Sequence, residues 1–230
     1  MKKIIFKSLL FSLLITNVCY SQYSSQQVDS IMGDAMDKFN VAGVAVAIVK
    51  DGKIIHSKGY GVKSSVTKSP VNNHTNFAIA SNSKAFTTAA LAILVEEGKI
   101  TWQDKVKSHL PEFKMYNPYV TENFNIQDLL THRSGLGLGI GDLMFFPDGS
   151  SFTIDDLLSS FQHFKPVSAF RTQFDYDNLL YLVAGEVIKR VSGMTWEDFI
   201  TERIFQPLNM DNSYASLDRI KDKNNLAKPH

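Results

Sequence analysis

The sequence predicts an α+β fold in which helix outweighs strand, and three observations predict it. Two strand-like segments, residues 41–49 and 53–61, flank an Asp51-Gly52 pair early in the chain. Five or more segments with helical apolar spacing surround or follow them, and no strand-like segment of comparable quality occurs after residue 61.

The elements follow in order. Val28, Ile31, Met32, Ala35, Met36 and Phe39 recur at helical spacing and predict one amphipathic helix. Residues 41–49 are almost wholly small and apolar, which predicts a buried strand. Asp-Gly is a strong hairpin turn signal, so residues 53–61 return antiparallel. Residues 62–76 are polar and rich in turn formers. From residue 81 to Gly98 the pattern is helical and nearly all apolar in its middle, which predicts burial on most sides. Residues 126–132 predict a short helix ending towards Gly135. Five glycines and one proline within residues 135–152 predict a loop with conformational freedom. Residues 153–164 form a further helix capped by Thr153 or Ser151. Residues 179–191 form another, stopped at Ser192-Gly193. Thr195 caps a last one, with Asp198 three residues on, as in a capping box.

Composition narrows the function. Hydrophobic residues are 44% and charged residues 20%, which supports a packed core. With 24 basic and 23 acidic residues the chain carries no basic excess of the kind a nucleic-acid binder uses. Lys2, Lys3 and Lys7 precede an eleven-residue, mostly apolar stretch at 8–18, too short for a spanning helix. The pattern predicts an export signal over residues 1–21, with the domain proper at 22–230. The alternative is an N-terminal membrane anchor. Signal cleavage leaves 21 basic against 23 acidic residues and takes away Cys19, the only cysteine. A periplasmic or secreted domain without thiols has no disulfide framework, no cysteine nucleophile and no thiolate metal site. None of the six histidines lies in an HxH or HExxH arrangement, so no local metal motif is present. Gly135, Gly137, Gly139 and Gly141 alternate, which fails the spacing of a dinucleotide loop. GxSxG is absent as well.

One arrangement carries chemistry. Ser81-Asn82-Ser83-Lys84 is an S-x-x-K at the start of a predicted helix. Residues three apart share a helix face, so the Lys84 amine reaches the Ser81 hydroxyl. A serine hydroxyl needs a neighbouring base, and a lysine serves where burial disfavours its charge. The plainer reading is an N-cap serine and a surface lysine, and S-x-x-K is short enough to arise by chance. A second element lies near residue 176, where Tyr176-Asp177-Asn178 puts Tyr-x-Asn before an apolar helix. Tyrosine shuttles protons, and asparagine offers both a donor and an acceptor. Its plainer reading is a helix start capped by Asp177 or Asn178.

Together these motifs resemble the serine β-lactamase and penicillin-binding superfamily, in its class C-like branch. The segment 77–87 is similar to that family's nucleophile segment, and 126–136 to its helix-and-loop signature. Residues 184–188 and 205–210 match further stretches, so the resemblance covers roughly 25–230. It implies a β-lactamase/transpeptidase-like α+β fold: an antiparallel sheet flanked by helices, plus a helical subdomain. It also implies Ser81 as acylated nucleophile, Lys84 as its base, Tyr176 as proton carrier, and Asn178 holding Lys84 or the substrate amide. Thr131, His132 and Arg133 are expected to be structural. The family's third motif, Lys-Thr-Gly or His-x-Gly, does not occur in this chain. The sheet's C-terminal strands are therefore expected to be missing, as in a truncated or partial chain.

The function expected is an exported serine hydrolase acting on β-lactams, D-alanyl peptides or small esters and amides. It would use no cofactor and no metal, bind no nucleic acid, and not stay inserted in a membrane after signal cleavage. The alternative is a non-catalytic homologue that keeps the fold.

Overall fold

The computed structural model describes residues 23–146 and 151–229. The expected export signal lies outside the described residues. Among them, no helix is long and apolar enough to cross a membrane. The chain divides into two compact units, one built from residues up to Phe77 and from Asn224 onward, the other from Ala78–Lys223.

In the first unit, helix α1 (Ser25–Phe39) opens on a capping box formed by Ser24 and Gln27. Strands β1 (Gly43–Lys50) and β2 (Lys53–Gly61) pair antiparallel. Asp51 and Gly52 both take positive φ, 51° and 72°, as a tight hairpin turn requires. The register shifts between Ile48 and Val49, so a bulge adds local twist to the ribbon. The structure corrects one expectation here, because no residue of β1 is buried. Val44, Val46 and Ile48 are half-buried along one face, while Ala45, Ala47 and Val49 are exposed on the other. Among the described residues the sheet has two strands only. Helix α1 packs on β2 through polar side chains. Asp29 accepts from Tyr60 (2.7 Å) and Lys58 (3.0 Å), and buried His56 joins Ser25 (2.9 Å) to Tyr60 (2.8 Å).

The second unit is helical. Its elements are α2 (Ser83–Glu96), α3 (Val106–His109), α4 (Pro118–Asn123), α5 (Ile126–Leu130), α6 (Ile154–Ser160), α7 (Leu179–Ser192) and α8 (Trp196–Ile200). A π-helical turn, Thr201–Phe205, continues α8. Thr153 caps α6 and Thr195 caps α8, while Gly193 ends α7 in the left-handed conformation. Helices α2 and α7 cross at the centre, and Leu91, Leu94, Phe113, Leu129, Val183 and Phe199 are fully buried around them. Helix α2 is at least half-buried on all but one face, as the sequence predicted. Thr87, Ala90, Leu91 and Leu94 form its buried stripe, whereas Ala85, Ala89 and Ala92 are exposed. Those exposed positions are alanines, which favour helix and lose little by meeting water.

Candidate active site

The candidate nucleophile precedes helix α2 rather than lying within it. Ser81 is the middle residue of a 3-10 turn, Ala80–Asn82, that leads into α2 at Ser83. Ala80 is left-handed, with φ of 44°. A non-glycine residue in that region stores roughly 1–2 kcal/mol of strain, here one bond from the serine. The side chain of Asn82 ties the turn back by donating to the Ile79 carbonyl (2.9 Å). Ser81 is exposed and Lys84, one turn on, is half-buried.

Lys84 joins the two motifs found in the sequence. Its Nζ donates to Ser81 Oγ at 3.2 Å and to Asn178 Oδ1 at 2.7 Å. It also lies 4.7 Å from the ring centroid of Tyr176 and 5.2 Å from that of Tyr181. All four residues expected at the site, Ser81, Lys84, Tyr176 and Asn178, are therefore brought together. Lys84, and then Ser81, stabilise the Tyr176 phenolate and hold its pKa below the usual phenol value.

Tyr176 is held by several distant anchors. Asp128, in α5, accepts a two-pronged ion pair from Arg171 (2.8 and 2.6 Å), and the Arg171 N–H donates to the Arg133 carbonyl. This fixes the chain that leads to the tyrosine. The Asp175 N–H then donates to the His132 carbonyl (2.8 Å), and the Asp177 N–H donates to His132 Nδ1 (3.1 Å). The His132 ring stacks on Tyr176 with centroids 4.4 Å apart. Burial first, and then the charge of Lys84, lower the His132 pKa, so the ring stays neutral and can accept at Nδ1. His132 thus backs the tyrosine, in keeping with the structural role expected for it.

Two carboxylates stand at the site besides the residues expected there: Asp142, which the sequence did not single out, and Asp177, which it offered only as a helix cap. Asp142 accepts from Asn178 Nδ2 with both oxygens, at 3.2 and 3.1 Å. It comes from the glycine-rich segment, which over 135–146 is anchored rather than free. The Gly139 N–H donates to the Tyr176 carbonyl (3.0 Å), and the Asp142 N–H to the Gly139 carbonyl (3.2 Å). Gly141 has φ of 73°, and a Cβ there would lie 2.2 Å from Leu179. The glycines let this segment press against the start of α7. The alternation of glycines was visible in the sequence, but nothing in it pointed to Asn178. The second carboxylate, Asp177, is completely buried, with Oδ2 unpaired and Oδ1 3.4 Å from the Leu180 N–H. Burial pushes its pKa up to about 7 against the pull of the Leu180 and Leu179 N–H groups. Among the described residues, no group of acidic and histidine side chains is placed to hold a metal ion.

A cavity of about 1000 Å³ opens beside Ser81 and Lys84. Asp142 and Asn178 line it together with Phe145, Phe152, Leu157, Leu182 and Trp196, and Glu186, Lys189 and Glu197 add charge to its wall. Trp196 is fixed by an Nε1–H bond to Thr87 Oγ1 (3.0 Å). Such a site can pass a proton from Ser81 to Lys84 while the adjoining cavity seats the substrate.

With this geometry in view, the chain can be compared with known proteins. The family model described as Beta-lactamase matches residues 28–229. Protein flp of Staphylococcus aureus (strain MW2) is 30% identical over 87% of this chain and 40% of its own length. Unguisins hydrolase ungD' of Aspergillus campestris is 31% identical over 84% of this chain and 37% of its own. The chain thus spans about two fifths of the length of these curated relatives. Among solved structures, the octameric penicillin-binding protein homologue from Pyrococcus abyssi superposes with a TM-score of 0.73 at 25% identity, covering 88% of this chain and 47% of the other. A class C beta-lactamase superposes with a TM-score of 0.71 at 26% identity, covering 87% and 52%. The α+β, β-lactamase/transpeptidase-like fold expected from the sequence is the fold of these structures.

Proposed function

The chain belongs to the Beta-lactamase family, and on that premise we propose that it is a serine hydrolase working through an acyl-enzyme on Ser81. The observation that supports this most is Lys84 Nζ shared between Ser81 Oγ and Asn178 Oδ1, with Tyr176 alongside. Lys84 takes the Ser81 proton as Oγ attacks a carbonyl carbon. The bond to the leaving group then breaks, and Tyr176, backed by Lys84, returns a proton to it. Water hydrolyses the acyl-enzyme by the reverse proton path.

β-Lactams, D-alanyl peptides and small esters or amides all acylate a serine through these same groups. The aromatic and aliphatic side chains of the cavity support a substrate with an apolar portion to its acyl group. The lysine-rich start and short apolar stretch of residues 1–21 support a reading of the enzyme as exported, to the periplasm or the medium.

The test is covalent labelling. A fluorescent penicillin or fluorophosphonate should label Ser81, and Ser81→Ala should take no label. Label on Ser83 or Ser134 would overturn the assignment. Label on Ser81 without turnover of nitrocefin, a D-alanyl peptide or a p-nitrophenyl ester would favour the non-catalytic alternative.

A further inference from the structure

We propose that Asp142 is a positioning residue that fixes which end of the Asn178 amide faces Lys84, and so keeps the lysine lone pair for Ser81. The inference rests on the reading of Ser81 and Lys84 as nucleophile and base.

The argument begins with the two ends of the amide. Asn178 Oδ1 is 2.7 Å from Lys84 Nζ, and Nδ2 lies 3.2 and 3.1 Å from the two Asp142 oxygens. An asparagine side chain can turn over and exchange these ends at little cost unless its partners differ. A neutral lysine amine does not enforce a difference. It has two N–H groups and one lone pair, so it can donate to an amide oxygen or accept from an amide NH₂. In the turned-over form the amide NH₂ would occupy that lone pair. This is the electron pair that must take the Ser81 proton, across 3.2 Å, for Oγ to attack.

An ionised carboxylate only accepts. Facing Asp142, the turned-over amide would set its oxygen against two acceptors and leave both without a donor. Only the observed orientation satisfies Asp142, and it does so whether Lys84 is charged or neutral. Lys84 then spends an N–H on Asn178 and keeps its lone pair for the serine.

The loop explains how the carboxylate reaches this position. Asp142 begins a 3-10 turn, Asp142–Met144, whose preceding residue Gly141 lies against Leu179, one residue beyond Asn178. The bond from the Gly139 N–H to the Tyr176 carbonyl ties the same loop to the Tyr-x-Asn segment. The Asp142 carboxylate hydrogen-bonds to Asn178, and its charge also opposes ionisation of Tyr176, so the double-mutant cycle is what isolates the part that passes through Asn178.

The test is a double-mutant cycle on the full chain, read as the rate of fluorophosphonate labelling and as p-nitrophenyl ester turnover. Asp142→Ala should slow labelling by about tenfold or more and lower kcat with KM within about twofold. Asp142→Asn, of nearly the same shape, should also be slow, because its amide can satisfy either orientation of Asn178. Asn178→Ala should be slow, and adding Asp142→Ala to it should cost nothing further. Circular dichroism melts check that each variant is folded. Wild-type rates in Asp142→Asn, or losses that multiply in the double variant, would overturn the inference and leave the Ser81 assignment standing. Labelling of Ser81→Ala would remove both.

Discussion

Replacing Asp177 by asparagine should flatten the dependence of stability on pH. Asp177 is completely buried between Tyr176 and Asn178, and its Oδ2 has no hydrogen-bond partner. Burial raises its pKa from 3.8 to about 7, and Asp142 adds to the rise, while the Leu180 and Leu179 N–H groups and Lys84 oppose it. The sign follows from proton binding. Well below pH 3.8 both folded and unfolded chains are protonated at this residue. As pH climbs, the unfolded chain releases its proton near 3.8 and the folded chain holds it until about 7, so stability falls across that window. A rise from 3.8 to about 7, at about 1.4 kcal/mol per pH unit, makes ionised Asp177 cost the fold about 4 kcal/mol above pH 7. Asparagine keeps an acceptor for the Leu180 N–H and cannot ionise. Urea unfolding of wild type and Asp177→Asn at pH 5, 6, 7 and 8 isolates the effect. The wild type should lose about 2–3 kcal/mol relative to the variant between pH 5 and pH 8. The constant offset between the curves carries the cost of the buried amide and decides nothing. Parallel curves would show that Asp177 does not titrate in this window and would refute the reasoning.

Lys84→Ala should slow acylation by about a hundredfold or more, and Tyr176→Phe should keep the fold while slowing turnover. Stopped-flow nitrocefin or ester kinetics read both, and wild-type rates would place the base elsewhere. Gly141→Ala puts a Cβ 2.2 Å from Leu179 at a φ of 73°, and should cost about 2 kcal/mol in a urea titration. It should also slow labelling at Ser81, since the loop that carries Asp142 must move. Ala80→Gly relieves the left-handed alanine before Ser81 and should raise the urea midpoint by the equivalent of about 1 kcal/mol. An unchanged or lower midpoint would show that the turn holds no strain.

The parts of the fold that were legible in the sequence are those with short-range causes. Asp51-Gly52 fixes the hairpin because two adjacent residues must take positive φ, and the caps at Thr153 and Thr195 satisfy N–H groups three residues away. Ser81 and Lys84 could be paired because they are three residues apart before and within one helix. Burial was less legible, since it depends on what covers a segment and not only on its own side chains. Residues 41–49 read as a buried strand, yet β1 has only one half-covered face. The short helices α3 and α4 lacked a long enough apolar repeat to announce themselves.

The supporting shell of the site was hidden for a related reason. Asp142 and Asn178 are 36 positions apart, and the Asp177 N–H reaches His132 across 45. No local pattern encodes such a meeting. What made Asp142 unreadable was the wrong cause assigned to its surroundings. Alternating glycines look like freedom, because glycine populates backbone conformations that other residues avoid. In this fold the absence of Cβ serves close approach instead. Gly141 lies where a methyl group would collide with Leu179, and Gly139 lies where one would come within 3.3 Å of the Asp142 carboxylate. The same glycines that suggest a mobile loop are what allow a carboxylate to be held against Asn178. A glycine-rich segment next to a predicted helix start therefore has two readings, and they differ in a measurable way. A mobile loop would tolerate alanine at both positions, whereas a packed one would lose stability at Gly141 and acylation rate with it.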